Sequence, residues 1–119
     1  MNIQTLIDRV KNGPAYDRVG MILCHTGVVR ATSRDGRRVR GLRVAVDHRR
    51  LADIVADGRQ REGIVDILVE INEEKDLTVG DDVMLLVVAG DIRERVLGTM
   101  EATLNAIKTE ATKKIETFA

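Results

Sequence analysis

Aromatic side chains are almost absent: Tyr16 and Phe118 are the only two in 119 residues, and there is no tryptophan. The chain is nonetheless 44% hydrophobic, so its interior must be aliphatic. Single-stranded nucleic acid also loses its usual stacking platforms. Formal net charge is zero, which removes bulk attraction to polyanions and speaks against nucleic acid as the partner. Cysteine occurs once, at Cys24, so no internal disulfide framework exists and the cytoplasm is the natural compartment. Cys24 sits in an apolar run with no cation beside it and reads as a buried, inert thiol. The two histidines, His25 and His48, fall on different elements without ligand spacing, so no metal site is expected. Cys24 and His25 are adjacent on a strand and point to opposite faces, which excludes a simple Cys-His dyad. No apolar run approaches membrane-spanning length, and Met1-Asn2-Ile3-Gln4 does not open a secretory signal.

The stretch Gly80 to Ile115 organises the rest. Val83-Met84-Leu85-Leu86-Val87-Val88-Ala89 is a seven-residue apolar run, the mark of a strand buried on both faces. Asp91 and Glu94 stand at capping-box spacing. Leu97, Met100, Leu104, Ile107 and Ala111 then recur at helical steps, which predicts one helix of about six turns. At about 100° per residue, Arg93 falls near the middle of that stripe, and Lys108 and Lys114 on its shoulders.

Taken in order, residues 2–11 have helical spacing, ended by Asn12-Gly13-Pro14. Residues 19–29 form a strand in which Gly20 and Gly27 mark a bulge or a close backbone approach. Ser33-Arg34-Asp35-Gly36 is hairpin-turn chemistry, with Val39 to Val46 as the return strand. Residues 49–61 make a short amphipathic helix, and Ile64 to Ile71 a strand. The order helix, two strands, helix, two strands, long helix gives an α+β fold in a single domain, residues 1–119.

Charge is unevenly spread. Residues 30–50 hold eight arginines against Asp35 and Asp47, and residues 66–82 hold seven carboxylates against Lys75. Arg30 ends an apolar strand, while Arg93 and Lys108 approach the predicted buried side of the long helix. Together they can form a cationic pocket for a phosphate or carboxylate. The competing reading is a patch of solvated arginines and snorkelling lysines.

These residues carry a family resemblance. The chain resembles the large, catalytic subunit of molybdopterin synthase. Thr26-Gly27-Val28-Val29-Arg30 is similar to that family's Gly-x-Val-Arg strand end, and Val39-Arg40-Gly41-Leu42 to its Val-x-Gly-Leu. Leu51-Ala52-Asp53-Ile54-Val55 matches its following helix. Leu77-Thr78-Val79-Gly80-Asp81 matches the Leu-x-x-Gly-(Asp/Glu) before its central strand. The resemblance implies an α+β architecture of the α/β hammerhead type, with helices on an antiparallel or mixed sheet, and a homodimer. It implies a ubiquitin-like small subunit as partner, whose thiocarboxylated Gly-Gly tail gives up sulfur to a cyclic pyranopterin phosphate. Arg30 and Arg93 would bind substrate, and Lys108 and Lys114 would be catalytic, with no cofactor.

The departures are specific. The family's His before Arg93 is Ile92, its His-Arg on the preceding strand is Asn72-Glu73, and its Pro-Phe-Trp-Lys is Thr112-Lys113-Lys114-Ile115. An ungapped match therefore puts Ile115 at the second lysine and leaves Lys114 as its stand-in. Two readings stay open: a divergent synthase subunit of molybdenum cofactor biosynthesis, or a non-catalytic dimeric relative that keeps a partner or anion pocket. RNA binding through the Arg34–Arg50 segment is a weaker third.

Overall fold

The apolar run becomes the middle of a three-stranded antiparallel sheet. The computed structural model describes all 119 residues. β1 (Met21–Val28) and β3 (Ile64–Ile71) flank β5 (Asp82–Gly90), giving the order β1-β5-β3. Alternation along β5 explains why Met84 to Ala89 are all apolar. Met84, Leu86 and Val88 join a core beneath two helices, α2 (His48–Arg59) and α3 (Arg93–Ala106). Leu85, Val87 and Ala89 join another core beneath α1 (Ile3–Lys11), against Leu6 and Val10. With helices on both faces, β5 has no wet side.

A second antiparallel sheet has the order β4-β2-β6, from β4 (Leu77–Thr78), β2 (Val39–Val46) and β6 (Thr112–Phe118). Its core is Val29, Val39, Leu42, Val44 and Leu77, with Ile71 and Val83 reaching in from the first sheet. The fold is α+β as the sequence implies, with both sheets purely antiparallel. No helix is long and apolar enough to cross a membrane.

Local features set the element ends, and the two strand glycines behave as expected. Asn2 caps α1 by accepting from the Gln4 N–H at 2.8 Å, and Asp47 caps α2 by accepting from the Arg50 N–H at 3.0 Å. The Gly20 N–H donates to the Gly90 carbonyl at 2.8 Å, and a Cβ on Gly20 would overlap the Asp91 carbonyl oxygen. Gly27 sits at a register shift in the β1–β5 ladder.

Five expectations are corrected. The long helix ends at Ala106, passes through a π-helical turn (Ile107–Ala111) and gives way to β6. Its buried face is Val96, Thr99, Met100 and Thr103, so the stripe is rotated and Leu97 is half exposed. Threonine looks polar in a hydropathy pattern, yet its methyl group packs inward. Asp91 forms no capping box: Ile92 occupies the N-cap position, and Asp91 pairs with Arg95 at 2.7 Å.

The Ser33–Gly36 turn forms, with Gly36 at φ 85° and its N–H donating to the Ser33 carbonyl at 3.0 Å. The strands either side do not make a hairpin ladder, because β1 pairs with β5 and β2 with β6. Only Thr32 and Arg38 bridge at the root of this loop. Finally, Cys24 is exposed on β1, although atoms packed round it push its thiol above the ordinary range. Alkylation of the folded protein should therefore reach Cys24 without denaturant and slowly at pH 7, as read by mass shift. No labelling until denaturant is added would contradict this exposure.

Candidate functional site

Where the two sheets meet, the chain leaves a hollow of about 480 Å³. Its apolar wall is Leu42, Val44, Ile71, Val83 and Met84, drawn from β2, β3 and β5. Lys108 enters from the π-turn, Lys114 from β6 and Arg34 from the 31–38 loop. A smaller hollow of about 80 Å³ adjoins it, sharing Ser33, Arg34, Leu42, Lys114 and Glu116, and is lined by Arg30. None of Arg30, Arg34, Lys108 and Lys114 is tied up in an ion pair. The carboxylates present are Asp35 in the larger hollow and Glu116 in both. Four free cations against two carboxylates leave the space positive, which suits an anion.

Local structure explains each placement. β6 alternates, so Thr112, Lys114, Glu116 and Phe118 line the hollow while Ile115, 69% exposed, points away. Lys114 is thus a strand residue opposite Val44, not a helix-shoulder residue. The π-turn is anchored at three points. Glu110 meets Arg50 at 2.6 Å, the Asp47 N–H donates to the Ala111 carbonyl at 2.8 Å, and the Thr112 hydroxyl donates to the Ile107 carbonyl at 3.2 Å. π-Turns often stand at functional positions, and this one presents Lys108.

The loop over the hollow is pinned as well. Arg37 stacks 3.6 Å above the centroid of the Phe118 ring. The Ser33 hydroxyl donates to Asp35, and that bond, helped by the Arg37 charge, holds the Asp35 carboxyl below its usual range. Asp35 therefore stays ionised and committed to the loop rather than available as an acid.

Three of the four residues singled out from sequence, Arg30, Lys108 and Lys114, converge on these adjoining hollows. Arg93 does not. Its side chain is 74% exposed, lies 3.6 Å from Glu94 and lines neither hollow. The rotated stripe on α3 is the reason: burying Val96 and Thr99 turns Arg93 outward. Sequence reasoning also missed two residues. Arg34 occupies the wall of both hollows, where only its turn context could have drawn notice. His25 lies on β1 with Nε2 buried and unpartnered, and Lys108 is near enough for its charge to act on the ring.

A search of curated proteins finds no match to this sequence. Solved structures do match in fold. The molybdopterin cofactor biosynthesis protein E from Burkholderia multivorans ATCC 17616 aligns at 20% identity, over 100% of this chain and 82% of that one, with TM-score 0.77. The molybdopterin synthase from Staphylococcus aureus aligns at 19% identity over 87% and 77%, with TM-score 0.74. A chain from the complex of subunits 1 and 2 of the molybdopterin-converting factor from Helicobacter pylori 26695 aligns at 17% identity over 99% and 80%, with TM-score 0.73. The family model described as MoaE protein matches residues 1–110, nearly the whole sequence. The chain belongs to the MoaE family, the molybdopterin synthase large subunits of molybdenum cofactor biosynthesis.

Proposed function

We propose that this chain is the sulfur-transferring large subunit of a cytoplasmic molybdopterin synthase, working as a homodimer with a ubiquitin-like small subunit. The observation that carries the reading is the meeting of unpaired Arg30, Lys108 and Lys114 around two adjoining hollows that share Lys114. Arg30, with Arg34 beside it, binds the phosphate of a cyclic pyranopterin through charge-assisted hydrogen bonds. Lys108 and Lys114 flank the apolar part of the hollow, where the small subunit's thiocarboxylate tail is brought to the pterin. There an amine can take a proton or attack a carbonyl carbon. The Helicobacter pylori complex of subunits 1 and 2 supports a small-subunit partner for this fold.

The direct test is a reconstituted assay with a thiocarboxylated small subunit and the pyranopterin precursor, read as dithiolene product. Absence of product at high enzyme concentration would defeat the proposal. Two variants sharpen it. Lys114→Ala should lower turnover by at least about 10-fold, whereas Ile115→Ala, on the outer face of the same strand, should leave it within about 2-fold. Equal effects would contradict the strand alternation. Arg30→Ala should raise KM for the pterin by about 10–100-fold, the worth of one hydrogen bond to a charged group, with a smaller change in kcat.

One observation favours a second reading. The family's His-Arg pair falls on Ile92 and Arg93, both on the outer surface and away from the hollow. A non-catalytic relative would capture the small subunit without turnover. Pull-down without product supports that reading, and activity abolished by a single lysine substitution refutes it.

A further inference from the structure

The loop between β1 and β2 reaches the hollows with little packing of its own. Across 31–38 only Ser33 is buried; Arg34 and Arg37 are exposed. The hydrogen bonds of the turn run inward. The Ser33 N–H donates to the Arg37 carbonyl at 2.8 Å, and the Arg37 N–H donates to the Ser33 hydroxyl oxygen at 3.1 Å. Such bonds stiffen the turn as a unit without fixing it to anything else. At its root the Val39 N–H donates to the Ala31 carbonyl at 2.8 Å, beside the Thr32–Arg38 bridge, which makes a hinge rather than a seat. A segment with so few buried contacts opens at little cost unless something holds it down.

The far end of β6 holds it. The Arg37 guanidinium lies 3.6 Å from the centroid of the Phe118 ring, and the Ala119 N–H donates to the Arg38 carbonyl at 3.1 Å. Phe118 is fixed in turn, opposite Val39 in the ladder and packed on the core of the second sheet. Arg37 forms no ion pair, so the ring face is the partner its charge has found. Seated in this way, the turn puts Arg34 on the wall common to both hollows, with Lys114 on the same wall and Arg30 in the smaller hollow.

We infer that Arg37 and Phe118 are positioning residues: their stacking latches the 31–38 loop and sets Arg34 where a phosphate-bearing ligand meets it. The inference rests on the anion-binding reading of the hollows and not on sulfur transfer. With the latch broken, the loop is seated for only part of the time, and apparent affinity falls by that fraction.

Inorganic phosphate, titrated into the full chain at constant ionic strength and followed by the amide NMR shifts of residues 30–39, measures the site. Arg34→Gln should weaken binding by about 10-fold or more, the effect of losing a hydrogen bond to a charged group. Arg37→Met and Phe118→Leu should each weaken it by about 2–5-fold, the range of an exposed cation–π contact. Phe118→Tyr keeps the ring and should match wild type. In the Arg34→Gln background, Arg37→Met should add nothing. An equal loss in both backgrounds would mean that Arg37 acts only as a charge, and would overturn the inference. A wild-type chain that binds no phosphate overturns it as well. Because Phe118→Leu also loses packing, trypsin cleavage after Arg34 gives a second reading on Arg37→Met, which leaves the core intact. Cleavage should quicken by about 2–5-fold in that variant and slow when phosphate saturates the site; an unchanged rate counts against the latch and overturns the inference. In the sulfur-transfer assay, Arg37→Met should raise KM for the pterin with kcat within about 2-fold of wild type. A latched, phosphate-binding loop in a chain that transfers no sulfur would uphold the inference and defeat the sulfur-transfer reading instead.

Discussion

Lys108→Ala is expected to lower sulfur transfer by about 10²–10⁴-fold, the usual worth of a positioned acid, base or nucleophile. The same change should move thermal stability by no more than about 0.5 kcal/mol, because the side chain is exposed and outside the three cores. Lys108→Arg separates two roles for the amine. Arginine keeps the positive charge but does not give up its proton near neutral pH. If Lys108 acts only by attracting the anionic substrate, arginine should restore most of the rate. If it transfers a proton or attacks a carbonyl, arginine should be nearly as poor as alanine, and the latter is expected. Single-turnover rates at saturating small subunit, set beside melting curves, measure both. A Lys108→Ala enzyme within a factor of three of wild type would remove the π-turn from the mechanism and leave the hollow a binding site.

Much of the scaffold is legible because its strongest signals are local. The apolar run at 83–89 can only be satisfied between two layers, and it is. Asn12-Gly13-Pro14 stops a helix wherever it occurs. What sequence periodicity misses is a change of partner. Residues 107–117 contain Ile107 and Ala111 in helical phase, and Lys113, Lys114 and Glu116 are good helix formers. Extending the helix is the local preference. Pairing with β2 from Val46–Thr112 to Val39–Phe118 decides otherwise, since it completes a sheet that β2 and the two-residue β4 cannot make alone. The same long-range choice separates β1 from β2, although the turn between them has hairpin chemistry.

Legibility of the site divides along the same line. Arg30 and Lys108 are singled out in the sequence because each follows a local motif: a strand end, and a helical stripe ending near it. Lys114 is singled out through the resemblance, and the face it occupies is visible only with β6 as a strand. Arg93 was misplaced by one wrong assumption, that leucine rather than threonine marks the inward face of α3. Thr99 and Thr103, 1% and 3% exposed, carry that face instead. His25 could not be read from spacing at all. Lys108, whose charge acts on its ring, is 83 residues away along the chain, and only the tertiary fold brings them near.

Leu86→Ala is expected to cost about 2–5 kcal/mol of folding free energy, the range for large-to-small changes in a close-packed core. Leu86 is 0% exposed on the central strand and packs with Ile67, Val88, Val96 and Ile107. Neighbours on two strands and two helical segments cannot all move inward, so a cavity should remain and the upper half of the range applies. Urea titration should show a lower midpoint with an unchanged slope if the native state stays compact. Leu86 also stands directly opposite His25 and supports Ile107, the residue before Lys108. The cavity should therefore loosen the π-turn, and turnover should fall by several-fold under conditions where the variant remains folded. Leu97→Ala gives the contrast, since Leu97 is 48% exposed on the outer face of α3 and should cost under about 1 kcal/mol. If Leu97 proved the more costly of the two, α3 would have to face the sheet in the phase its leucines suggest, and the packing of Val96, Thr99 and Thr103 against β5 would be wrong.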